Sequence, residues 1–240
     1  KVLVSELGLD SVLIPQLRGV AMVDAWLCQE QGLEIELFEQ IKAEWTNKND
    51  DSNPLFAAAL PNKFTALVPK SKVKDLAEKI ENYVRQWVNH LGEDMLTELL
   101  EKAGEDQNDK SLPCWQQLKD QLQGFPEVYW AAVPFDVIEQ DAQGRAVANQ
   151  NKLKEIQSNF IPKGQSFLDT AIWKDILSKD LVVEGHELWQ PNAGFLFPAV
   201  YELLERLTAS VKQARPFQQL KQEGFRCTLT GEVEWLTTDR

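Results

Sequence analysis

One stretch constrains the fold more than any other. Val73, Leu76, Ala77, Ile80, Tyr83, Val84, Trp87, Val88 and Leu91 recur at spacings of three and four. That is the period of one helix face, and Ser71 stands where an N-cap would. The spacing predicts a long amphipathic helix from Ser71 to Leu91, burying that face. Gly92 follows, and a second helical piece is predicted from Met95 to Ala103. Ahead of the helix, Phe64 to Val68 reads as a short strand bounded by Pro61 and Pro69.

The rest of the chain is punctuated by polar stretches. Lys1-Val2-Leu3-Val4 reads as a strand, one that begins in the middle of something, as in a piece of a longer protein. After Val12-Leu13-Ile14-Pro15, the residues Leu17, Val20, Ala21, Val23, Asp24 and Leu27 predict a buried helix with Cys28 at its end. Residues 45–54 are polar and predict a surface loop, as do Gly104 to Lys110. Ser111 to Leu122 predicts a short helix carrying Trp115, Leu118 and Leu122. Val128 to Val133 predicts a buried strand ending at Pro134, and Asp136 to Asn151 a polar loop. Helices are predicted over 152–160, 166–178 and 198–213. Phe225 to Trp235 alternates apolar and polar around Thr230-Gly231 and predicts a hairpin or knuckle. A strand, a long helix and a second strand point to an α+β fold, rich in helix.

Composition excludes several classes. With 240 residues, 43% hydrophobic and 26% charged, the chain is neither disordered nor a disulfide mini-protein. Its apolar runs are far short of the roughly 20 residues of a membrane span, so no membrane partner is expected. Three widely spaced cysteines, Cys28, Cys114 and Cys227, indicate no disulfide framework. A cytoplasmic location is the expectation. The net charge of -12 argues against a free-standing, non-specific nucleic-acid binder but leaves room for a local basic face.

One such face is visible. Between Arg206 and Arg226 the chain carries Arg206, Lys212, Arg215, Lys221 and Arg226 against the single acid Glu223. Arg and Lys supply the sequence-independent part of nucleic-acid affinity, so Arg206, Lys212, Arg215 and Arg226 are candidate RNA contacts. Positive charge that suits a helix C-terminus is the plainer reading of the same residues.

Catalytic signatures are missing. His90 and His186 read as surface histidines, and no Ser/His/Asp constellation can be built around them. There is no Gly-x-x-x-x-Gly-Lys-Ser/Thr or Gly-x-Gly-x-x-Gly phosphate loop, no His-Asp pair and no Gly-Gly-Asp-Asp. Glu93, Asp94, Glu98 and Glu101 read as a solvated face, and the eight tryptophans mostly as core. Arg226-Cys227-Thr228-Leu229-Thr230-Gly231-Glu232 has the outline of a zinc knuckle, Cys-x-x-Cys-Gly, with Thr230 at the second ligand position. Zinc takes about four Cys or His ligands, so Cys227 is a metal candidate with an incomplete set.

Four stretches together resemble a known family, the large subunit of type III-B (Cmr-type) CRISPR RNA-guided effector complexes. They are Leu13-Ile14-Pro15-Gln16-Leu17-Arg18-Gly19 with Asp24 and Trp26; Leu60-Pro61-Asn62-Lys63-Phe64-Thr65-Ala66-Leu67-Val68-Pro69; Phe125-Pro126-Glu127-Val128-Tyr129-Trp130-Ala131; and Tyr201 through Lys212, Arg215 and Phe217 to Gly224-Phe225-Arg226-Cys227-Thr228-Leu229-Thr230-Gly231-Glu232. The resemblance implies an internal fragment in three parts. Residues 1–135 would form a partial ferredoxin-like palm with inserted helices, 136–224 a helical region, and 225–240 a degenerate zinc-knuckle hairpin. It implies partners in the other subunits of the complex, guide RNA and target RNA. The full subunit resembles a cyclic oligoadenylate synthase using ATP and a divalent metal, and sometimes a DNA nuclease. Without those motifs, this chain alone is expected to be non-catalytic, with Asn62 and Lys63, which also read as a turn-capping pair at the start of the strand, beside the palm nucleotide pocket. A second reading stays open: a helical protein-interaction scaffold that binds neither nucleotide nor RNA.

Overall fold

The computed structural model describes residues 1–17, 19–34, 60–135, 137–140, 142, 146–174, 181–189, 193–216, 223–229, 231 and 233–239. The chain divides into two compact units, Lys1–Ile80 and Glu81–Arg240. Among the described residues the fold is helix-rich α+β, its strands forming three separate antiparallel pairs.

In the first unit, the opening residues form helix α1 (Val2–Leu7) instead of the expected strand. Leu3 and Leu7 fall one helical turn apart, and Leu3 is buried. Strand β1 (Val12–Ile14) leads to helix α2 (Ala21–Gln31), which buries Asp24, Trp26 and Leu27. Gly32, in the left-handed region at φ 68°, closes α2 by returning its N–H to the Leu27 carbonyl. Lys1 donates to Glu30 at 2.7 Å, and Trp26 Nε1 donates to the same carboxylate at 3.0 Å. These bonds hold the head of α1 against the tail of α2. The strand expected at Phe64 to Val68 is present as β2 (Thr65–Ala66), antiparallel to β1 with Thr65 opposite Ile14.

Helix α3 spans Val73–Ala103 without interruption. Gly92 does not break it: an added Cβ there would lie 2.8 Å from Leu122 Cδ1, so the glycine lets another helix approach. Ser71 falls within a 3-10 turn, Lys70–Lys72, ahead of α3. The predicted apolar face is only partly buried. Leu76 is enclosed, but Tyr83, Trp87 and Leu91 are exposed.

In the second unit, Leu96 and Leu100 of α3 pack on Cys114 of α4 (Pro113–Leu122), with Leu112, Trp115, Leu118 and Leu236 around them. A larger core gathers Val137, Leu153, Leu168, Trp173, Leu196, Ala199 and Val200. Leu153 comes from α5 (Gln150–Ser158), capped by the Asn149 side chain. Ala199 and Val200 come from α6 (Phe197–Gln213). Gln157 is buried between these helices, donating to the Ala199 carbonyl at 3.1 Å and accepting from Ser166 at 2.6 Å. A buried amide needs such partners.

Several expectations fail here. Residues 128–133 form no strand, and Trp130 is exposed. Pro126 and Pro134 bracket this stretch, and among the described residues no strand pairs with it. The polar stretch 136–151 carries a hairpin, β3 (Ile138–Gln140) with β4 (Ala146–Ala148). A further hairpin, β5 (Leu181–Val183) with β6 (His186–Trp189), turns through Glu184 and Gly185, both at positive φ. Within 166–178 a 3-10 turn, Phe167–Asp169, is followed by helical residues 171–174, and 175–178 lie outside the described residues. The terminal hairpin is present: Arg226 bridges Glu234, Cys227 N donates to the Val233 carbonyl, and Trp235 N to that of Phe225.

Candidate nucleic-acid interface

Helix α6 places the basic residues. Pro198 opens it and Ala199, Val200 and Leu203 bury one face, which leaves its last turn and the residues beyond it in solvent. There, Lys212 lies over the Tyr129 ring, its Nζ 6.0 Å from the centroid, within cation–π reach. Arg215 donates to Glu127 at 3.2 Å and to the Tyr129 hydroxyl at 3.4 Å. Tyr129 in turn donates to Glu127, a bond that holds its phenol pKa above the ordinary value.

Two of the four sequence-predicted basic residues therefore converge on one aromatic ring. Arg206 turns to its own helix, paired with Glu202 at 3.0 Å. Arg226 sits in the terminal hairpin and donates to the Gly231 carbonyl at 3.4 Å. Lys221 lies outside the described residues. Tyr129 and Glu127 went unrecognised as members of this group, because the apolar run 128–133 reads as a buried strand. The flanking prolines were the signal that it is a surface segment. Phe125 and Trp130 on the same segment are exposed as well.

Electrostatically the group is mixed. A lone Lys/Arg pair would offer two positive charges to a phosphate, but Glu127 offsets Arg215 at the surface, where such a pair is weak and exchangeable. What remains is a cation–aromatic ledge with one replaceable carboxylate.

Asn62 and Lys63 belong to the first unit. Both are exposed, just ahead of β2, and the antiparallel pairing carries them toward the Pro15 end of β1. Cys227 is half-buried in the terminal hairpin, and its carbonyl accepts from Gly231 N at 2.8 Å. Thr230 lies outside the described residues. No three His, Cys, Asp or Glu side chains gather as a metal site among the described residues. His90 and His186 are both exposed.

Among the described residues no helix is long and apolar enough to cross a membrane. Residues 1–93 match the family model described as CRISPR-associated protein Cmr2, N-terminal. No curated protein and no solved structure matches the chain. The matched region contains the Pro15–Trp26 and Leu60–Pro69 stretches, while the Phe125–Ala131 and Tyr201–Cys227 stretches lie beyond it. Over residues 1–93 the chain is thus similar to the N-terminal part of Cmr2, a match that supports its reading as a fragment of a type III-B large subunit.

Proposed function

We propose that this chain is a non-catalytic segment of a type III-B large subunit that helps seat RNA in the assembled complex. The similarity of residues 1–93 to Cmr2 supports a place in a multi-subunit assembly. The observation that carries the RNA reading is the convergence of Lys212 and Arg215 on Tyr129. Two cations contact phosphates, and the half-buried Tyr129 ring and the exposed Trp130 offer apolar surface to a base. RNA phosphate displaces Glu127 from Arg215, exchanging one surface ion pair for another.

The β1–β2 pair with α3 is read as part of a ferredoxin-like palm, with Asn62 and Lys63 at the rim of its nucleotide pocket. An amide and an ammonium suit the phosphates of ATP.

The test is binding of a single-stranded guide-type RNA to the full chain, followed by fluorescence anisotropy across a salt series. Lys212→Ala and Arg215→Ala are each expected to lower the salt slope by roughly 0.7. Glu127→Gln is expected to tighten binding, because it leaves Arg215 to the phosphate. Unchanged slopes in both basic variants overturn the RNA reading.

A further inference from the structure

Helix α3 leaves a row of large apolar side chains in solvent. Tyr83, Trp87, Leu91, Met95 and Leu99 follow one another four residues apart, and each is between 42% and 58% exposed. They are distinct from the residues that hold α3 to its own unit, Leu96 and Leu100, and from Gly92, which faces Leu118 and Leu122. The seventeen residues from Tyr83 to Leu99 rise about 24 Å, and a row four residues apart drifts about 40° round the helix at each step, so Trp87, Leu91 and Met95 share one face while Tyr83 and Leu99 lie toward its two flanks. Three adjoining large apolar side chains on one face, flanked by two more, are more than scattered surface apolar residues and mark an interaction surface.

Its border has a sign. Asp94, Glu98 and Glu101 are exposed and run along the side of the row away from α4, and Glu98 is bridged by Lys102 at 2.6 Å. The occupant that suits an apolar strip with an acidic margin is apolar along one face and basic beside it. A second copy of the chain is disfavoured, because each carries a net charge of -12 and would bring its own acids to the same margin.

We infer that this face of α3 docks an amphipathic helix of a partner protein, with the partner's apolar face on Trp87, Leu91 and Met95 and its Lys or Arg residues against Asp94, Glu98 and Glu101. Ridges built from residues four apart interdigitate best when two helices cross at about -50°. The partner helix therefore crosses α3 obliquely, with Trp87, Leu91 and Met95 at the centre of the contact. Aromatic and Met residues at such a centre are the usual anchors. This surface is separate from the Tyr129 ledge and does not depend on RNA binding.

The experiment uses the full chain and two labelled synthetic helices that share a row of leucines four apart. One is flanked by Lys, the other by Glu, and binding is read by anisotropy. The Lys-flanked peptide is expected to bind at least about tenfold more tightly than the Glu-flanked one. Trp87→Ser with Leu91→Ser is expected to lose that binding by a similar factor, with helicity unchanged because both residues are on the surface. Asp94→Lys with Glu98→Lys, which leaves the apolar row intact, is expected to reverse the preference between the peptides. Three results overturn the proposal. One is no saturable binding of the Lys-flanked peptide, another is binding unaffected by the serine pair. The third is a dimer of the chain in sedimentation that the serine pair dissolves, which would assign the face to a second copy.

Discussion

Gln117 offers the sharpest test of how the terminal hairpin is held. It is buried in α4, and its side chain reaches the chain's last segment three ways. Its Nε2 donates to Glu234 and, at 3.2 Å, to Thr237 Oγ1, while its Oε1 accepts from Thr237 N at 2.9 Å. Gln117→Leu keeps the volume and removes all three bonds. A neutral hydrogen bond contributes about 1 kcal/mol net, and one to a charged group about 1.5–3 kcal/mol. Glu234 and Thr237 are half-buried and regain some water when released, so the expected loss is about 2–4 kcal/mol. The loss falls on local opening of residues 234–237. Gln121 still donates to the Glu234 carbonyl at 2.7 Å, and Leu236 still packs on Leu96 and Cys114. Hydrogen exchange at the Thr237 amide is the assay. Each 1.4 kcal/mol is tenfold in an opening equilibrium, so protection should fall by about 30- to 700-fold. Unchanged protection at Thr237 in Gln117→Leu would refute the reasoning, because it would mean that the segment is held by packing alone.

Other expectations follow from the two cores. Burial pushes the Asp24 carboxyl above the usual aspartate range, partly offset by a hydrogen bond from the Gly19 backbone. Below the unfolded value both states are protonated and the group is neutral toward stability. As pH rises past it, the folded state resists ionisation and stability is lost. Asp24→Asn should therefore gain on the natural chain in urea midpoint at pH 7 compared with pH 3, and an equal difference at both would contradict this. Leu153→Ala, at a fully buried position, should destabilise the second unit by about 2–5 kcal/mol in denaturant titration. A shift within about 0.5 kcal/mol would deny Leu153 its place in the core.

The candidate RNA surface was half legible. Lys212 and Arg215 stand out in sequence because they interrupt an acidic chain, and charge excess needs no fold to be seen. Their meeting with Tyr129 joins residues more than 80 positions apart, and no local pattern encodes that. The same limit hid the β3–β4 and β5–β6 hairpins, whose strands are only three or four residues long. So short a run carries too few alternations to display its period. The N-terminal Val2-Leu3-Val4 misled in the opposite sense, since β-branched residues favour strands until a buried partner rewards a helix.

What the sequence alone determined is the class of the chain and its principal element. Helical spacing over 73–91 required a long helix, because only that period gathers so many apolar residues on one side. The prolines and the polar stretches required interruptions, and the Pro15–Trp26 and Leu60–Pro69 stretches carried the resemblance to Cmr2. Which part of that helix face is buried was decided only by tertiary structure. Burial depends on what packs against a surface: Leu118 and Leu122 close on α3 at Gly92, Leu96 and Leu100 are enclosed beside Cys114, and the row from Tyr83 to Leu99 is left in water. Apolar spacing states that a face seeks a partner. Only the folded chain shows whether that partner lies within it.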